Sequence, residues 1–289
     1  MQNYKLEDRV FTIINTFLLL LVTFVTLYPF AYVVFASFSD PIKIMSNQGV
    51  LFWPEGFSLD AYRKVFENPS IYTGYANTIF YVVVGSTVNI LMTSLGAYVL
   101  SREQFMPRRF FTLMFIFTMY FSGGLIPTYL LINQLHLINN RWGLILPVAM
   151  DTYNLLIMIT GFRAIPVSLE ESAKMDGASH WTILFRIILP LAKPTIMVIM
   201  LYYAVGHWNA WFRAMIYIRD TSKMPLQLFL RNILLRNELG AMSGDNAVED
   251  VGTTIKYATI LVSVIPILCV YPLIQKHFVK GVMIGAVKE

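Results

Sequence analysis

Glu170-Glu171-Ser172-Ala173-Lys174-Met175-Asp176-Gly177-Ala178, running on to Ile188-Leu189-Pro190, is a charged island between two long apolar segments. Ser168 and Glu171 have the Ser-x-x-Glu spacing of a capping box, which predicts a helix beginning at Leu169. Glu170 and Lys174 stand four apart, in the favourable order for an ion pair on a helix face. Gly177 sits where a helix would stop in the left-handed conformation. A second helix can start after Ser179, with Trp181, Leu184, Phe185 and Ile188 at helical spacing. On these residues alone, a capped helix that serves a partner and an ordinary solvated loop between membrane helices remain open.

The surroundings are those of a membrane protein. Of 289 residues, 56% are hydrophobic and 13% charged, about half the charge of an average soluble domain. Several charge-free runs exceed the roughly 18 residues that mark a candidate span. Val10 to Ser39 is the first, too long for a signal-peptide core and carrying Pro29. Together the runs predict six spans, roughly 10–37, 72–100, 110–131, 142–162, 194–212 and 255–275. Gly123-Gly124 and Pro127 should break or kink the third, which a bilayer tolerates only against protein or a cavity. The charged island occupies a loop at 163–193. A longer polar loop runs over 213–253, where Leu226, Phe229, Leu230, Ile233 and Leu234 repeat at amphipathic helix spacing.

Six spans put both termini on one side. The N-terminus, 102–109, 163–193 and the tail together hold 12 of the 22 Lys and Arg residues. The short link 102–109 has three, against one in the short loop 132–141. That bias puts the termini and the island in the cytoplasm.

Composition also excludes functions. The net charge of +5 is too modest to argue for nucleic acid. The single cysteine, Cys269, rules out an intrachain disulfide, and one Cys with four scattered His leaves no structural zinc site. There is no Gly-x-x-x-x-Gly-Lys-[Ser/Thr] loop, so the chain is not itself a P-loop ATPase, and neither Gly-x-Ser-x-Gly nor His-Glu-x-x-His occurs. Nothing supports catalysis, metal binding or a cofactor.

A few polar residues in the spans are candidates for a solute path. Asp151 is a charge inside the fourth span. Such a group costs roughly 3 kcal/mol or more and faces a cavity or a partner, or else it caps a helix. Tyr153 and Asn154 are its neighbours. His207, Trp208, Asn209 and Trp211 crowd the end of the fifth span. They read either as an interfacial aromatic belt or as a sugar platform, with ring faces for the pyranose and Asn or His for hydroxyls. Tyr120 in the third span carries the same two readings.

The island resembles the cytoplasmic signature of permease subunits in bacterial ATP-binding-cassette importers, of the form Glu-x-Ala-x-x-Asp-Gly-Ala followed downstream by Ile-x-Leu-Pro. Glu171, Ala173, Asp176, Gly177, Ala178 and Pro190 match, and Ser172 stands where alanine is usual. Tyr120-Phe121-Ser122-Gly123-Gly124-Leu125-Ile126-Pro127, Gly161-Phe162-Arg163-Ala164-Ile165-Pro166 and the tail from Phe278 to Lys288 are similar to carbohydrate importer permeases. The nearest likeness is to the second, six-span permease of the maltose-type branch, and more weakly to alginate-type importers of oligosaccharides and polysaccharide fragments.

The resemblance implies an all-α integral protein of the bacterial inner membrane with the type I importer permease fold. It implies a heterodimer with a second permease, two ATPase subunits that hold the ATP and magnesium, and an extracytoplasmic solute-binding protein that meets the 213–253 loop. Glu170, Glu171, Ala173, Asp176, Gly177 and Ala178 would then form the helix that couples to the ATPase, and a sugar would be the cargo. Two rivals remain: the same architecture carrying an amino acid or peptide, and a carrier driven by an ion gradient. The second would show an inverted repeat and several buried carboxylates. One such carboxylate and no repeat is present. Cysteines placed singly at Ser172 and Asn246, in a Cys269→Ala background, should be labelled by impermeant maleimide from opposite faces of the membrane. Labelling of both from one face would sink the six-span topology.

Overall fold

Two helices among the described residues are long and apolar enough to cross a membrane, and up to five spans result if each bent pair is counted as one. The computed structural model describes residues 2–46, 49–243 and 254–269, and no strand occurs among them. The chain separates into two compact units, residues 1–68 with 232–265, and residues 69–231 with 266–289.

In the first unit, α1 (Gln2–Ser37) contains a 30-residue apolar stretch from Asp8. None of its best apolar window is buried within the chain, so those side chains are left to lipid or a partner. Its threonines suit that setting. The hydroxyls of Thr12, Thr23 and Thr26 donate to the carbonyls of Asp8, Leu19 and Val22 at 2.7–2.8 Å, so they need no outside partner. Two short helices follow, α2 (Pro41–Ser46) and α3 (Asp60–Glu67). An aromatic group of Tyr28, Tyr32, Phe35, Phe52, Trp53 and Tyr257 surrounds the far end of α1, where amphipathic rings favour the membrane–water boundary.

The second unit is built on α4 (Pro69–Ser101), 33 residues without a charge. After it come α5 (Arg108–Tyr120), α6 (Leu125–Gln134), α7 (Trp142–Ile145), α8 (Thr152–Arg163), α9 (Val167–Met175), α10 (His180–Ile183), α11 (Leu189–Leu191), α12 (Lys193–Trp208) and α13 (Trp211–Tyr217). A π turn, Leu184–Ile188, joins α10 to α11. α14 (Leu226–Ser243) and α15 (Thr254–Cys269) complete the described chain. α8 and α12 both lie along α4. Their contact face includes Ala97, Leu155, Met158, Phe162 and Ile199, all essentially buried. Lipid is as apolar as leucine, so close packing and polar bonds between helices, not burial from water, hold such a bundle.

α4 supplies those polar bonds. The Asn77 amide donates to the carbonyls of Ser222 and Met224 at 2.7 and 3.1 Å, and its oxygen accepts from Arg141 at 2.9 Å. Tyr81 donates to the Lys223 carbonyl at 2.8 Å, and the Thr78 hydroxyl accepts from the Leu226 amide at 2.9 Å. These bonds pin the loop before α14, so the start of the predicted polar loop is ordered structure. Leu226 and Leu230 of the expected amphipathic face are buried.

Three expected spans are not single helices. The third breaks between α5 and α6, which meet at 116°, as the glycine pair and Pro127 predict. The fourth bends by 54° just before Asp151. The bland reading of that residue is realised: its carboxylate caps α8 by accepting from the Asn154 amide at 2.9 Å. The fifth is preceded by an 84° turn before Lys193 and ends at Trp208 rather than 212, because the helix breaks at Asn209 and Ala210 and restarts as α13. The predicted 213–253 loop therefore holds most of α13 and all of α14. Of the sixth span, 254–269 is the helix α15, and 270–275 lies outside the described residues, as does the tail.

Candidate functional site

Two places gather the residues singled out from the sequence. The first is α9. It starts two residues earlier than the capping-box spacing predicts, at Val167, with Pro166 as N-cap and no side chain capping the amides. The capping box does not form because Ser168 is already inside the helix. Pro166 sets the start instead: its ring fixes φ, and the residue before it is held out of helical geometry.

The helix end follows the sequence reading closely. Gly177 has φ +79°. Its amide donates to the Lys174 carbonyl at 3.0 Å, and the Ala178 amide donates to the Ala173 carbonyl at 2.9 Å. That pair of bonds is a Schellman motif. A Cβ built on Gly177 would meet nothing within 4 Å, so backbone conformation alone demands glycine. Ser179 then caps α10, accepting from the Thr182 amide at 3.3 Å.

Glu170 is the unexpected member. Only 4% of it is exposed. Its carboxylate pairs with Lys174 at 3.1 Å, as the spacing predicts, and also with Arg102 from the link after α4. Arg102 lies over the Tyr98 ring at 4.8 Å. The Tyr98 hydroxyl meets His180 Nδ1 at 3.0 Å, and Lys174 also donates to Gln104 at 3.2 Å. The buried carboxylate thus ties α9 to the end of α4, and Tyr98 ties α10 to it. The outer side of α9 stays open: Glu171, Ser172 and Asp176 are exposed, with Val167, Leu169 and Met175 beside them. Glu171 makes no hydrogen bond to the described chain, whereas Ala173 packs inward on the core.

The second place is a cavity of about 450 Å³ at the junction of α8, α12 and α13, lined by Asp151, Tyr153, Asn154, Tyr203, His207 and Arg213, among others. Tyr203 organises one wall, because its hydroxyl accepts from the Asp151 amide at 3.0 Å and bonds Thr93 at 2.7 Å. Asn89 of α4 organises the other. Its oxygen meets His207 Nε2 at 2.6 Å while its NH2 donates to the Val148 carbonyl. An amide oxygen only accepts, so Nε2 carries the proton and Nδ1 is left as an acceptor. Gly85 makes room for this ring, since a Cβ there would lie 2.5 Å from Nε2.

Of the sequence candidates, Asp151, Tyr153, Asn154 and His207 meet at this cavity. Trp208, Asn209, Trp211 and Tyr120 do not line it. The Trp211 ring is covered by the Arg231 guanidinium at 4.3 Å, and Tyr120 is exposed at the end of α5. Sequence reasoning missed Arg102, Asn89, Tyr203 and Arg213. Asn89 and Thr93 left a signal, as polar residues inside a charge-free run, where side chains face protein or water.

Comparison with known proteins agrees with this architecture. Residues 3–284 match the family model described as binding-protein-dependent transport system inner membrane component. The polygalacturonan/rhamnogalacturonan transport system permease protein YtcP of Bacillus subtilis (strain 168) is 41% identical over 98% of this chain and all of its own length. Protein LplC of the same organism is 42% identical over the whole chain and 98% of its own. A chain from the crystal structure of a bacterial ABC transporter involved in the import of the acidic polysaccharide alginate superimposes with TM-score 0.87 and 36% identity, covering 94% of this chain and 98% of that one.

Removing one partner of a buried ion pair strands the other, at a cost of about 3–5 kcal/mol. Glu170→Ala should therefore lower the apparent melting temperature of the detergent-solubilised protein clearly, and Glu170→Gln, which still accepts hydrogen bonds, should lower it less. An alanine variant that melts with the wild type would show that this network does not hold α9.

Proposed function

The chain belongs to the family of binding-protein-dependent transport system inner membrane components, and from that premise we propose that it is the permease of an ATP-driven importer whose cargo is an oligosaccharide cut from a larger polysaccharide. Relatives named for polysaccharide and oligosaccharide transport match it over nearly its full length, and this supports carbohydrate over amino acid or peptide cargo. The chain takes its cargo from an extracytoplasmic binding protein and pairs with a second permease to enclose the path. Both termini and α9 face the cytoplasm, where two ATPase subunits hold the ATP and magnesium.

The single observation that carries the coupling role is the asymmetry of α9. Its inner edge is locked to α4 through Glu170 and Arg102, while its outer edge offers Glu171, Asp176 and exposed apolar side chains. A helix held this way transmits a push at its outer edge to the spans as a rigid body, and packed helices answer such a push by switching between discrete arrangements. Glu171 neither caps the helix nor bonds within the described chain, which leaves it for a basic partner on the ATPase. In this reading Ala173 and Ala178 keep the packed edge thin, and Gly177 fixes the angle of departure.

The cavity beneath Asp151 is the part of this chain that meets the cargo. Tyr153 and Tyr202 rings stand 6.5 Å apart and tilted by 38° at its edge, suited to a sugar face. Trp208, Asn209, Trp211 and Tyr120 serve the surrounding surface.

Three substitutions separate coupling from folding. Valine at Gly177 meets the left-handed φ, which costs a non-glycine residue about 1–2 kcal/mol and a β-branched one more. It should unwind the last turn of α9. Glu171→Lys inverts an exposed charge, and Glu171→Gln removes it. We expect the first two to abolish copurification of the ATPase subunit and uptake by cells, and the third to weaken both mildly, with membrane levels unchanged for all three. Normal copurification and full uptake in both severe variants would return the island to a plain loop.

A further inference from the structure

A cavity of about 500 Å³ opens where α4 and α8 end and α5 and α9 begin. Arg102, Arg108, Arg109 and Arg163 line it, with Glu103 on the same wall. Four like charges on one small cavity repel one another unless anions stand between them. The chain supplies only part of that relief. Arg102 is spent on Glu170. Arg108 meets Glu103 at 3.5 Å, but the glutamate side chain is 88% exposed, and a pair so open to solvent is weak. Arg109 and Arg163 have no carboxylate within 4.0 Å among the described residues. Both are exposed, so their guanidiniums reach what fills the cavity. Arg163 is steadied by donating to the Leu100 carbonyl at 3.3 Å, which leaves the rest of its fork open. Thr112 lines the cavity too, and its hydroxyl, unlike those of Thr118 and Thr160, bonds no carbonyl among the described residues.

The remaining wall is apolar, with Leu113, Phe162, Ile165 and Val167. Leu113 continues into a larger surface. On α5, Phe110, Leu113 and Phe117 stand three and four apart, so they share one helix face. All three are exposed, and α5 buries none of its residues. A cationic pocket at the foot of an exposed apolar helix face matches an amphiphile with an anionic head and a hydrocarbon tail. Basic pockets between the ends of membrane helices suit anionic headgroups, and a guanidinium grips a phosphate with two parallel hydrogen bonds.

We propose that this cavity binds an anionic phospholipid, with its phosphodiester between Arg109 and Arg163, the Thr112 hydroxyl donating to it, and an acyl chain along Leu113 and Phe117. A free phosphate shares the headgroup chemistry but makes no use of the α5 face. Because Ile165 and Val167 belong to the wall, a bound lipid braces the segment that leads into α9. The site requires that the chain lie in a membrane and is independent of the cargo.

The test uses the full-length chain in nanodiscs of phosphatidylcholine with a small fraction of phosphatidylglycerol that carries a photoreactive group on its acyl chain. Illumination should attach this lipid to α5, read by mass spectrometry of its peptides. Unlabelled phosphatidylglycerol should suppress the attachment, whereas inorganic phosphate should not. Arg109→Gln and Arg163→Gln should each lower it about fivefold, the scale of one surface cation against an anionic lipid, and Arg109→Lys should keep part of it. Arg186→Gln removes an exposed charge that does not line the cavity and should change nothing. Gel filtration guards against a folding defect. If Arg163→Gln fails there for want of its bond to Leu100, Arg109→Gln decides alone. Unchanged attachment in Arg109→Gln overturns the proposal, and if that variant also loses copurification of the ATPase subunit, the arginines belong to a protein partner. Equal attachment of photoreactive phosphatidylcholine, or an equal loss in Arg186→Gln, overturns it as well and reduces the arginines to general surface charge. Suppression by inorganic phosphate would replace the lipid with a free anion. Transport is not read, so each of these results leaves the importer reading standing.

Discussion

A carboxylate buried where α9 meets the end of α4 is the constraint on which the rest depends. Glu170 is held between Arg102 and Lys174, out of water and within reach of both. Taking such charges out of solvent is expensive, and breaking the set is more so. The helix that carries Glu170 is therefore unable to drift from the end of α4 without exposing or stranding a charge. The same residue makes α9 two-faced: one edge is committed to the protein's interior and the other remains free for a partner.

α4 extends that logic through the second unit. Its polar side chains look misplaced in a helix long enough to cross a bilayer, yet several hold neighbouring segments along its length. Asn77, Thr78 and Tyr81 fasten the loop before α14, Asn89 and Thr93 fix His207 and Tyr203 at the cavity, and Tyr98 reaches the coupling end. In lipid, where apolar contact alone does not pull helices together, such bonds and close packing set the register. The cavity and α9 are thus fastened to one rod.

The breaks in the other spans serve the same end. A continuous fourth span would have put Asp151 mid-helix with a charge and no use. The bend before it turns the carboxylate into a cap and opens space beside Tyr203. The break at Asn209 and Ala210 separates α12 from α13, and Arg213 of α13 lines the same cavity as His207 of α12. Non-helical backbone at such points is tolerated because it borders a cavity or protein.

Much of this was legible in the residues themselves. Charge-free runs mark the spans because a bilayer punishes charge wherever it falls. Gly123-Gly124-x-x-Pro127 announces a break because those residues change the backbone's own options. Gly177 reads as a helix stop because only glycine sits easily at φ +79°, and Glu170 with Lys174 reads as a pair because helix geometry alone brings them together. Each is a local rule. The tertiary structure decided what depends on distant residues. Arg102 joins Glu170 from another segment, and Pro166 rather than Ser168 starts α9. Asp151 and His207 come to one cavity, which Trp208 and Trp211 do not line. Nothing within a few residues of Arg213 reveals that no anion waits for it. That follows only when α8, α12 and α13 are packed around the cavity that Arg213 lines with Asp151 and His207.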